Sequence, residues 1–320
     1  MLATEGTSAD ITSHSDLTVI ILTLNEEHHI LRCITSVRDI AKRVVVIDSG
    51  STDGTRDLAR DLGADVLVNP FESHARQFNW GLKNSRIDTK WIMKLDADEY
   101  LTPSALNVIS CSLEGLSEDV TGITLNLRRI FLGKWLKHGS LYPIRLLRIW
   151  RFGRGQIEER WMDEHVSVDG RVVHLKADFA DHNLGTLTSW VDKHNRYASR
   201  EVVELLNLEH GFLPRDAVAN LGGGRQAGMK RWLKERVYAR LPGGFRAFVY
   251  FVYRYIVRLG FLDGREGTAF HVLQGFWYRY LVDMKLHEVK TYMRAHDVDA
   301  VAAIRDVLGI KLNADASKKY

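Results

Sequence analysis

The first hundred residues alternate short apolar runs with stretches of helical pattern, and this alternation constrains the fold more than any other feature of the chain. Four apolar runs are rich in β-branched residues: 17–24, 43–48, 64–68 and 91–95. Runs of this length are typical of strands buried on both faces of a parallel sheet. Three stretches between them have a helical pattern: 27–41, 55–62 and 75–85. Repeated βα units predict an α/β fold with a mostly parallel sheet and flanking helices.

The later part of the chain is less regular. Residues 121–131, 144–152 and 171–175 are predicted to be strands, and residues 188–207 have apolar side chains spaced for one helix face. Residues 225–262 hold nine basic residues and one acidic residue, with aromatic residues interleaved. The break at Pro242-Gly243-Gly244 divides this window into two predicted helices that are basic and amphipathic.

These patterns divide the chain into four predicted parts. They are a flexible tail at 1–16, an α/β domain at 17–221, a helical region at 222–312 and a second tail at 313–320. The first tail is small, polar and acidic, so we expect no secretory signal in it. No run of about 18 uncharged apolar residues occurs, so we expect no conventional membrane span. With 44 basic and 40 acidic side chains in 320 residues, the composition is that of a globular protein and excludes a disordered one.

Polar residues follow several of the predicted strands, at the edge where open α/β sheets bind ligands. The first strand leads into TLNEE (residues 23–27), which contains no glycine. A dinucleotide-binding turn would carry GxGxxG there, so a nicotinamide-dependent dehydrogenase is disfavoured. Asn25 can cap the following helix, and it can contact a ligand as well.

The second strand leads into DSGSTDGT (residues 48–55). Thr52 or Asp53 can cap the next helix, so capping does not require Asp48. A carboxylate at the end of this strand could accept hydrogen bonds from a nucleobase imide or a ribose hydroxyl. An ordinary turn is the alternative interpretation.

The fourth strand leads into DADEYLTP (residues 96–103). Thr102 and Pro103 already supply an N-cap and a first helical residue, so the acidic residues are not needed to begin the helix. Residues two apart in an extended segment point the same way, so Asp96 and Asp98 would present two hard oxygen ligands together. Such a DXD pattern suits Mg²⁺ or Mn²⁺ held jointly with a diphosphate, and a solvated acidic loop is the alternative.

Together these segments resemble the family 2 glycosyltransferases of the GT-A fold. The motifs that carry the resemblance are TLNEE, VIDSGSTDGT and KLDADE, in that order, with ARQFNWG (residues 75–81) between the second and the third. The resemblance covers roughly residues 17–210, and it implies a Rossmann-like GT-A domain at 17–221. The later part, including LQGFWYRY (residues 273–280), resembles a bacterial branch that builds lipopolysaccharide cores and exopolysaccharides.

The resemblance implies an inverting hexosyltransferase that uses a nucleotide-diphosphate sugar together with Mg²⁺ or Mn²⁺. That the nucleotide is UDP is implied by the family alone. Asp48 would meet the uracil, Asp96 the ribose or the metal, and Asp98 the metal. His182 resembles a histidine that completes the metal shell in many GT-A enzymes, although a lone histidine is as often structural. The implied nucleotide-sugar site comprises Asn25, Glu27, Asp48, Ser51, Arg76, Asn79, Asp96, Ala97 and Asp98.

An inverting displacement needs a base that takes a proton from the acceptor hydroxyl. The family usually draws this base from an acidic pair downstream of the metal motif, and the candidate here is WMDEHV (residues 161–166). The polysaccharide branch often has a His-Glu pair where this chain has Asp163 and Glu164. Glu164 is therefore the predicted base and Asp163 the alternative, while a surface acidic turn is the structural interpretation.

The basic aromatic window at 225–262 has three interpretations. Nucleic-acid binding is disfavoured, because the basic excess is confined to this window and no binding motif accompanies it. The segment carries too many charges to span a bilayer without a large free-energy cost. We therefore expect it to lie in the interface, with aromatic residues at the headgroup level and arginines on anionic lipid. A packed helical subdomain is the alternative. A lipid-linked acceptor on the inner, cytoplasmic face of the membrane would explain such a location.

Two further functions compete with the leading one. A sugar nucleotidyltransferase shares an α/β nucleotide site, but it usually has a Gly-rich loop with a basic residue where this chain has TLNEE. A non-catalytic protein that binds sugar nucleotides or membranes is the alternative from another class, and the intact Asp96 and Asp98 pair argues against it.

Overall fold

A computed structural model describes residues 14–157, 166–212 and 244–312. The chain divides into two compact units, each of which is assembled from three segments. The first unit comprises Met1–Leu127, Arg145–Gln156 and Val168–Asp181. The second unit comprises Arg128–Ile144, Ile157–Ser167 and His182–Tyr320. The predicted domain boundary at residues 221–222 lies outside the described residues.

The secondary structure of the described residues begins with a βα alternation and ends with helices. The strands are β1 Ser15–Thr23, β2 Ala41–Asp48, β3 Asp65–Val68, β4 Trp91–Asp96, β5 Glu99–Leu101, β6 Val120–Phe131, β7 Lys134–Leu136, β8 Ile144–Arg151, β9 Gly155–Ile157, β10 Val166–Val168 and β11 Arg171–His182. The α-helices are α1 Glu27–Thr35, α2 Thr55–Asp61, α3 His74–Asn84, α4 Pro103–Leu113, α5 Leu187–His210, α6 Phe245–Val252, α7 Gly264–Phe270, α8 Tyr278–His296 and α9 Ala300–Leu308. Two π-helical segments, Tyr253–Val257 and His271–Trp277, and a 3₁₀ turn, Gly260–Asp263, adjoin them.

The main sheet has the strand order β3-β2-β1-β4-β8-β6-β11-β5, and β7 pairs with β6. Strand β1 runs parallel to β2 and β4, and β2 runs parallel to β3. Strand β8 is antiparallel to β4, and β5 is antiparallel to β11. The predicted α/β fold, with its parallel strands from the first hundred residues, is confirmed, and the later strands extend the sheet with antiparallel pairs.

Two element boundaries differ from those predicted. The helix predicted over residues 27–41 ends at Thr35, and residues 36–40 form turns in which the side chains of Val37 and Ile40 are buried. The strand predicted over 171–175 continues to His182, where Phe179 and Ala180 are buried and pair with β5. Charged residues interrupt the apolar pattern there, so the second half of this strand has little signal in the sequence.

Helix α3 packs closely on the sheet of the first unit. Phe78 is fully buried, and its ring centroid lies 5.6 Å from that of Trp150 on β8. Gly81, one turn further along α3, faces Ile47 of β2, and a Cβ at this position would lie 2.8 Å from the Ile47 Cγ1. A larger residue would push the helix away from the sheet, so glycine permits the close approach of α3 to β2.

The second unit has two small apolar cores among its described residues. One lies between α5, α8 and α9 and includes Val202, Leu206 and Val289. The other joins Phe131, Leu136, Leu141 and Phe270. Helix α5 ends at His210, and its C-cap, Gly211, takes the left-handed conformation (φ 68°) that favours glycine.

The sequence suggested that the arginines of the second predicted basic helix face outward. In the structure they do not all do so. Arg254 is only 5% exposed, so its placement on anionic lipid is wrong. Arg246 is bound to Asp283, and Arg258 donates from Nε to the Ser140 hydroxyl at 2.8 Å. The first predicted basic helix, at 225–241, lies outside the described residues. Across residues 14–157, 166–212 and 244–312, no helix combines the length and the apolar character needed to cross a bilayer.

His271 is a fully buried histidine in the second unit. Its ring fits against two glycines: a Cβ at Gly139 or Gly260 would lie within 2.5 Å of imidazole atoms. Neither ring nitrogen has a hydrogen-bond partner among the described residues. Burial and the nearby Arg254 lower the pKa of His271 from 6.5 to about 4, against an opposing effect of Asp263. The site therefore holds the neutral imidazole.

Between about pH 4 and pH 6.5, His271 should be protonated in the unfolded chain and neutral in the folded protein. Because the folded pKa lies below the unfolded value, this residue reduces the free energy of unfolding by about 2 kcal/mol as the pH falls from about 7 to about 5. His271→Leu should lose less stability over this range, as measured by urea unfolding at both pH values. Equal pH dependence of the two proteins would contradict the assignment.

Candidate functional site

Two loops at the carboxyl ends of β1 and β2 hold each other through reciprocal hydrogen bonds. Three successive backbone N–H groups of the first loop donate to side chains of the second: Asn25 to Ser51 Oγ (2.8 Å), Glu26 to Thr55 Oγ1 (2.7 Å) and Glu27 to Asp53 Oδ2 (3.3 Å). In return, the N–H groups of Thr52 and Gly54 donate to the side chains of Asn25 and Glu27, at 2.9 and 3.0 Å. The motif residues of the two loops therefore form one interlocked unit, which we call the loop lock.

Asn25 has a different structural role from the helix cap suggested by the sequence. The N-cap of α1 is Glu26, without a side-chain cap bond. Asn25 instead takes the left-handed conformation (φ 56°), which asparagine tolerates better than most residues. This turn directs its side-chain oxygen towards the N–H of Thr52.

Asp48 is completely buried at the end of β2. Its Oδ1 accepts from the N–H groups of Gly50 (3.0 Å) and Ser51 (2.8 Å), and its Oδ2 accepts from the hydroxyls of Thr23 (2.9 Å) and Ser51 (2.5 Å). Asp48 therefore has a structural task in the turn after β2, in agreement with the alternative interpretation of this motif as an ordinary turn. Its carboxylate organises the turn after β2, and its predicted contact with a base stays a prediction.

Gln77 is a residue of this site that the sequence reasoning missed. It lies on the buried face of α3, donates to Ser49 Oγ (3.1 Å) and to the carbonyl of Asn69 (3.0 Å), and accepts from Asn69 Nδ2 (2.6 Å). A buried amide on an otherwise apolar helix face is the signal that could have identified it. Of the two predicted site residues on α3, Arg76 is exposed and paired with Glu72 at 2.6 Å, and Asn79 is half-buried.

The acidic pair lies at the end of β4. Asp96 is the last residue of the strand, but Ala97 and Asp98 form a turn, so the argument that an extended segment aligns the two carboxylates is wrong. Lys94 Nζ lies 2.6 Å from Asp96 Oδ1. Burial would raise the pKa of Asp96, but Lys94 and Arg148 outweigh it and hold this pKa below the usual range. Asp96 is therefore ionised at neutral pH.

Glu99, which the sequence placed in the same acidic cluster, has a separate task. It is buried, and it accepts hydrogen bonds from the Arg148 guanidinium (2.5 Å) and from the backbone N–H of Asp96 (3.0 Å). Burial raises the pKa of Glu99 to about 8, against the effect of Arg148 and with that of Asp96. Glu99 and Arg148 thus fix the backbone at the end of β4 from inside the protein.

The donor chemistry of this strand end suits a hard divalent cation. Two carboxylates lie within three residues, and the ionised Asp96 supplies an oxygen ligand of the kind that Mg²⁺ and Mn²⁺ bind. In the part of the chain that the structure describes, no group of three or more His, Cys, Asp or Glu side chains is arranged as a metal site. His182, at the end of β11, is half-buried. Its role as a third ligand stays a prediction.

The two candidate bases, Asp163 and Glu164, lie outside the described residues, between β9 and β10. Of the other predicted residues, Glu27 and Ser51 belong to the loop lock, while Ala97 is buried beside the acidic pair. The structure therefore brings Asn25, Glu27, Asp48 and Ser51 together at one point of the sheet edge.

Comparison with known proteins identifies relatives of the chain. The family model "Glycosyl transferase family 2" matches residues 18–167. The lipopolysaccharide core biosynthesis glycosyltransferase LpsC of Rhizobium meliloti is 27% identical over 206 residues, which cover 62% of this chain and 74% of LpsC. An uncharacterized glycosyltransferase of Rickettsia typhi is 38% identical over 86 residues, which cover 27% of this chain and 29% of that protein. The chain thus spans less than a third of the Rickettsia relative.

Among solved structures, the mannosyltransferase PcManGT of Pyrobaculum calidifontis, in complex with GDP-Man and Mn²⁺, is similar to the chain. The two are 13% identical, with a TM-score of 0.47, and the match covers 87% of this chain and 88% of that one.

The buried carboxylate of Asp48 should matter for stability even without a ligand. Asp48→Asn replaces an accepting oxygen with an N–H₂ donor that faces other donors, so we expect the free energy of unfolding to fall by about 2 kcal/mol or more. The matched control is Asp57→Asn on α2, whose side chain is 85% exposed and paired with Arg60. This control should change stability by less than about 1 kcal/mol. Urea unfolding of nucleotide-free protein gives both values, and wild-type stability of Asp48→Asn would show that the turn does not depend on the carboxylate.

Proposed function

Because the chain is a family 2 glycosyltransferase, we propose that it transfers a sugar from a nucleotide-diphosphate sugar to a lipid-linked or polysaccharide acceptor. A UDP-sugar is the proposed donor, and bacterial cell-envelope glycan synthesis is the proposed setting. The observation that carries the proposal is the edge of the sheet. The loop lock and Asp48 follow β1 and β2 there, and Asp96, which is ionised, follows β4 together with Asp98. The relation to LpsC supports the choice of acceptor class.

The proposed donor site divides its tasks between rigid loops and acidic side chains. The loop lock fixes the backbone after β1 and β2 before any ligand arrives. The free energy of binding is therefore not reduced by an entropy cost of ordering these loops. Asp96 and Asp98 would hold a divalent cation together with the diphosphate. When bound, the cation supplies Lewis-acid stabilisation of the charge that develops on the leaving diphosphate.

Glu164 is the proposed base, with Asp163 as the alternative. Its task is to accept the proton of the acceptor hydroxyl as that oxygen bonds to the anomeric carbon and the diphosphate leaves. A single displacement of this kind inverts the configuration at the anomeric carbon. His182 is proposed as a third ligand of the cation.

The donor proposal is tested by separating binding from transfer in the full-length protein. Asp98→Asn should abolish the Mn²⁺-dependent rise in melting temperature with UDP, because it removes a negative oxygen ligand. Glu164→Gln should keep this rise and lose sugar transfer, measured with a UDP-sugar panel and extracted lipid acceptors. Asp163→Asn is the matched control and should retain transfer.

Three results would change the proposal. Wild-type protein that shows no Mn²⁺-dependent stabilisation by UDP or other nucleotide diphosphates would refute the donor site. Retained metal-dependent binding in Asp98→Asn would remove this residue from the metal site. Retained turnover in Glu164→Gln, with loss in Asp163→Asn, would assign the base to Asp163.

We also propose that α6 and the π-helical segment after it contact the cytoplasmic face of the membrane. Their exposed side chains are apolar and recur at the spacing of one helix face: Phe245, Phe248, Val249, Tyr253, Ile256 and Val257. Leu259, Phe261 and Leu262 extend this surface. The arginines of the same helix are bound within the protein, so the proposed contact is chiefly apolar and only partly electrostatic. Such a surface suits burial at the headgroup boundary.

Replacing exposed apolar residues of this surface should weaken vesicle binding without unfolding the protein. Ile256 and Val257 are 55% and 64% exposed, so Ile256→Asp/Val257→Asp should reduce sedimentation with phospholipid vesicles at unchanged melting temperature. Leu208→Asp on α5, where the side chain is 53% exposed, is the control for a single added charge. Sedimentation of the double variant at the wild-type level would argue against this contact surface.

A further inference from the structure

The second unit contains a pocket of about 200 Å³ between the β6–β8 region and the helices that follow residue 244. Its polar lining residues are Arg129, Ser140, Tyr250, Tyr253, Arg254 and Gln274. Phe270 contributes to its apolar wall. Pockets for drug-sized ligands measure roughly 300–1,000 Å³, so this one fits a compact polar group and not a whole nucleotide sugar.

Arg254 brings a buried positive charge to this pocket. Its Nε donates to the carbonyl of Gly139 (2.8 Å) and its Nη1 to the side-chain oxygen of Gln274 (3.1 Å), and it also interacts with the Tyr250 phenol. These acceptors are all neutral in their usual state. Among the described residues, no carboxylate lies within ion-pair distance of Arg254. A guanidinium buried with neutral partners alone is costly, and among the described residues no negative charge balances the one that Arg254 brings to this pocket.

The two carboxylates that are buried among the described residues of this unit, Asp263 and Asp283, bind other groups. Asp263 accepts from the backbone N–H groups of Lys137 (2.9 Å) and His138 (2.8 Å) and bonds to the His138 ring (2.7 Å). Asp283 is paired with Arg246. Neither carboxylate is therefore available to neutralise the pocket.

Two more guanidinium groups add to the positive potential. Arg129 lines the pocket itself, and Arg279 lies over the Tyr250 ring, with its guanidinium carbon 3.9 Å from the ring centroid. Burial would raise the pKa of Tyr250, but Arg279 and Arg254 outweigh burial and lower it. An anionic ligand in this pocket would gain from the same potential that favours the phenolate.

We propose that this pocket binds a phosphate ester, in the form of a phosphate or diphosphate group carried by the acceptor. Guanidinium forks match the geometry of phosphate oxygens, and the hydroxyls of Ser140 and Tyr253 add neutral donors. The identification of the ligand as the acceptor rests on the proposed function, whereas the binding of a phosphate group does not. The neighbouring exposed residues Ile256 and Val257 would suit an acceptor whose phosphate is attached to a lipid.

The first test measures binding of inorganic pyrophosphate to the full-length protein by calorimetry in the presence of EDTA. Without divalent cations, binding through Asp98 is excluded, so wild type and Asp98→Asn should bind alike. Arg129→Gln and Arg254→Lys should weaken binding by about tenfold or more, because each loses charge-assisted or forked hydrogen bonds to phosphate. Arg265→Gln, at an exposed site on α7 outside the pocket, removes the same charge as Arg129→Gln and should leave binding unchanged.

The second test distinguishes a lipid phosphate from a soluble one. Binding to phosphatidylcholine vesicles is compared with and without phosphatidic acid, for wild type, Arg129→Gln and Arg265→Gln. A gain with phosphatidic acid that only Arg129→Gln loses supports a lipid-borne phosphate. Pyrophosphate binding without this gain supports a phosphate on a soluble glycan.

The proposal is overturned if wild type binds neither pyrophosphate nor phosphatidic acid, or if Arg129→Gln and Arg265→Gln reduce binding equally. If Arg254→Lys does not fold, Arg129→Gln decides, because its side chain is only half-buried. Failure of the donor proposal would appear as absent Mn²⁺-dependent UDP binding. That result leaves pyrophosphate binding in EDTA untouched, so the two failures are distinguishable.

Discussion

The buried carboxylate of Asp48 is the interaction on which the arrangement of the first unit depends. A charge removed from water must be matched by donors, and four hydrogen bonds from Thr23, Gly50 and Ser51 supply them. These bonds hold Ser51 where its hydroxyl can accept from the N–H of Asn25, so the turn after β2 also positions the loop after β1. The two loops are therefore set together, and the residues that resemble a ligand-binding motif are first of all a structural unit.

The end of β4 shows how the protein separates two kinds of acidic residue. Asp96 is kept charged by Lys94 and Arg148, whereas Glu99 is buried and tied to Arg148 and to the backbone. Asp96 thus carries the negative charge that the proposed cation site requires, and Glu99 supports the backbone from which Asp96 projects. Arg148, on the antiparallel strand β8, contributes to both effects, so the neighbouring strand sets the charges at the end of β4.

In the second unit, the segment Phe245–Val257 differs from a basic amphipathic helix, in which the charged residues would be exposed and the apolar residues buried. The exposed side chains of α6 and of the π-helical segment after it are apolar, whereas Arg254 is buried and donates to neutral acceptors. An apolar exterior and a positive interior suit a ligand with a lipid part and a phosphate part. The donor proposal and the phosphate proposal therefore involve different units and different charges, acidic in the first and basic in the second.

The sequence by itself determined the βα order, the parallel strands and the three strand-end motifs, because short apolar runs and local turn chemistry are encoded in neighbouring residues. It also indicated the amphipathic helix after residue 244. Only the tertiary structure decided the partners of Asp48, the pairing of Glu99 with Arg148, the role of Gln77 and the burial of Arg254. Each of these depends on contacts between residues far apart in the chain, and the desolvation and charge pairing that give a polar side chain its task do not exist until those segments meet.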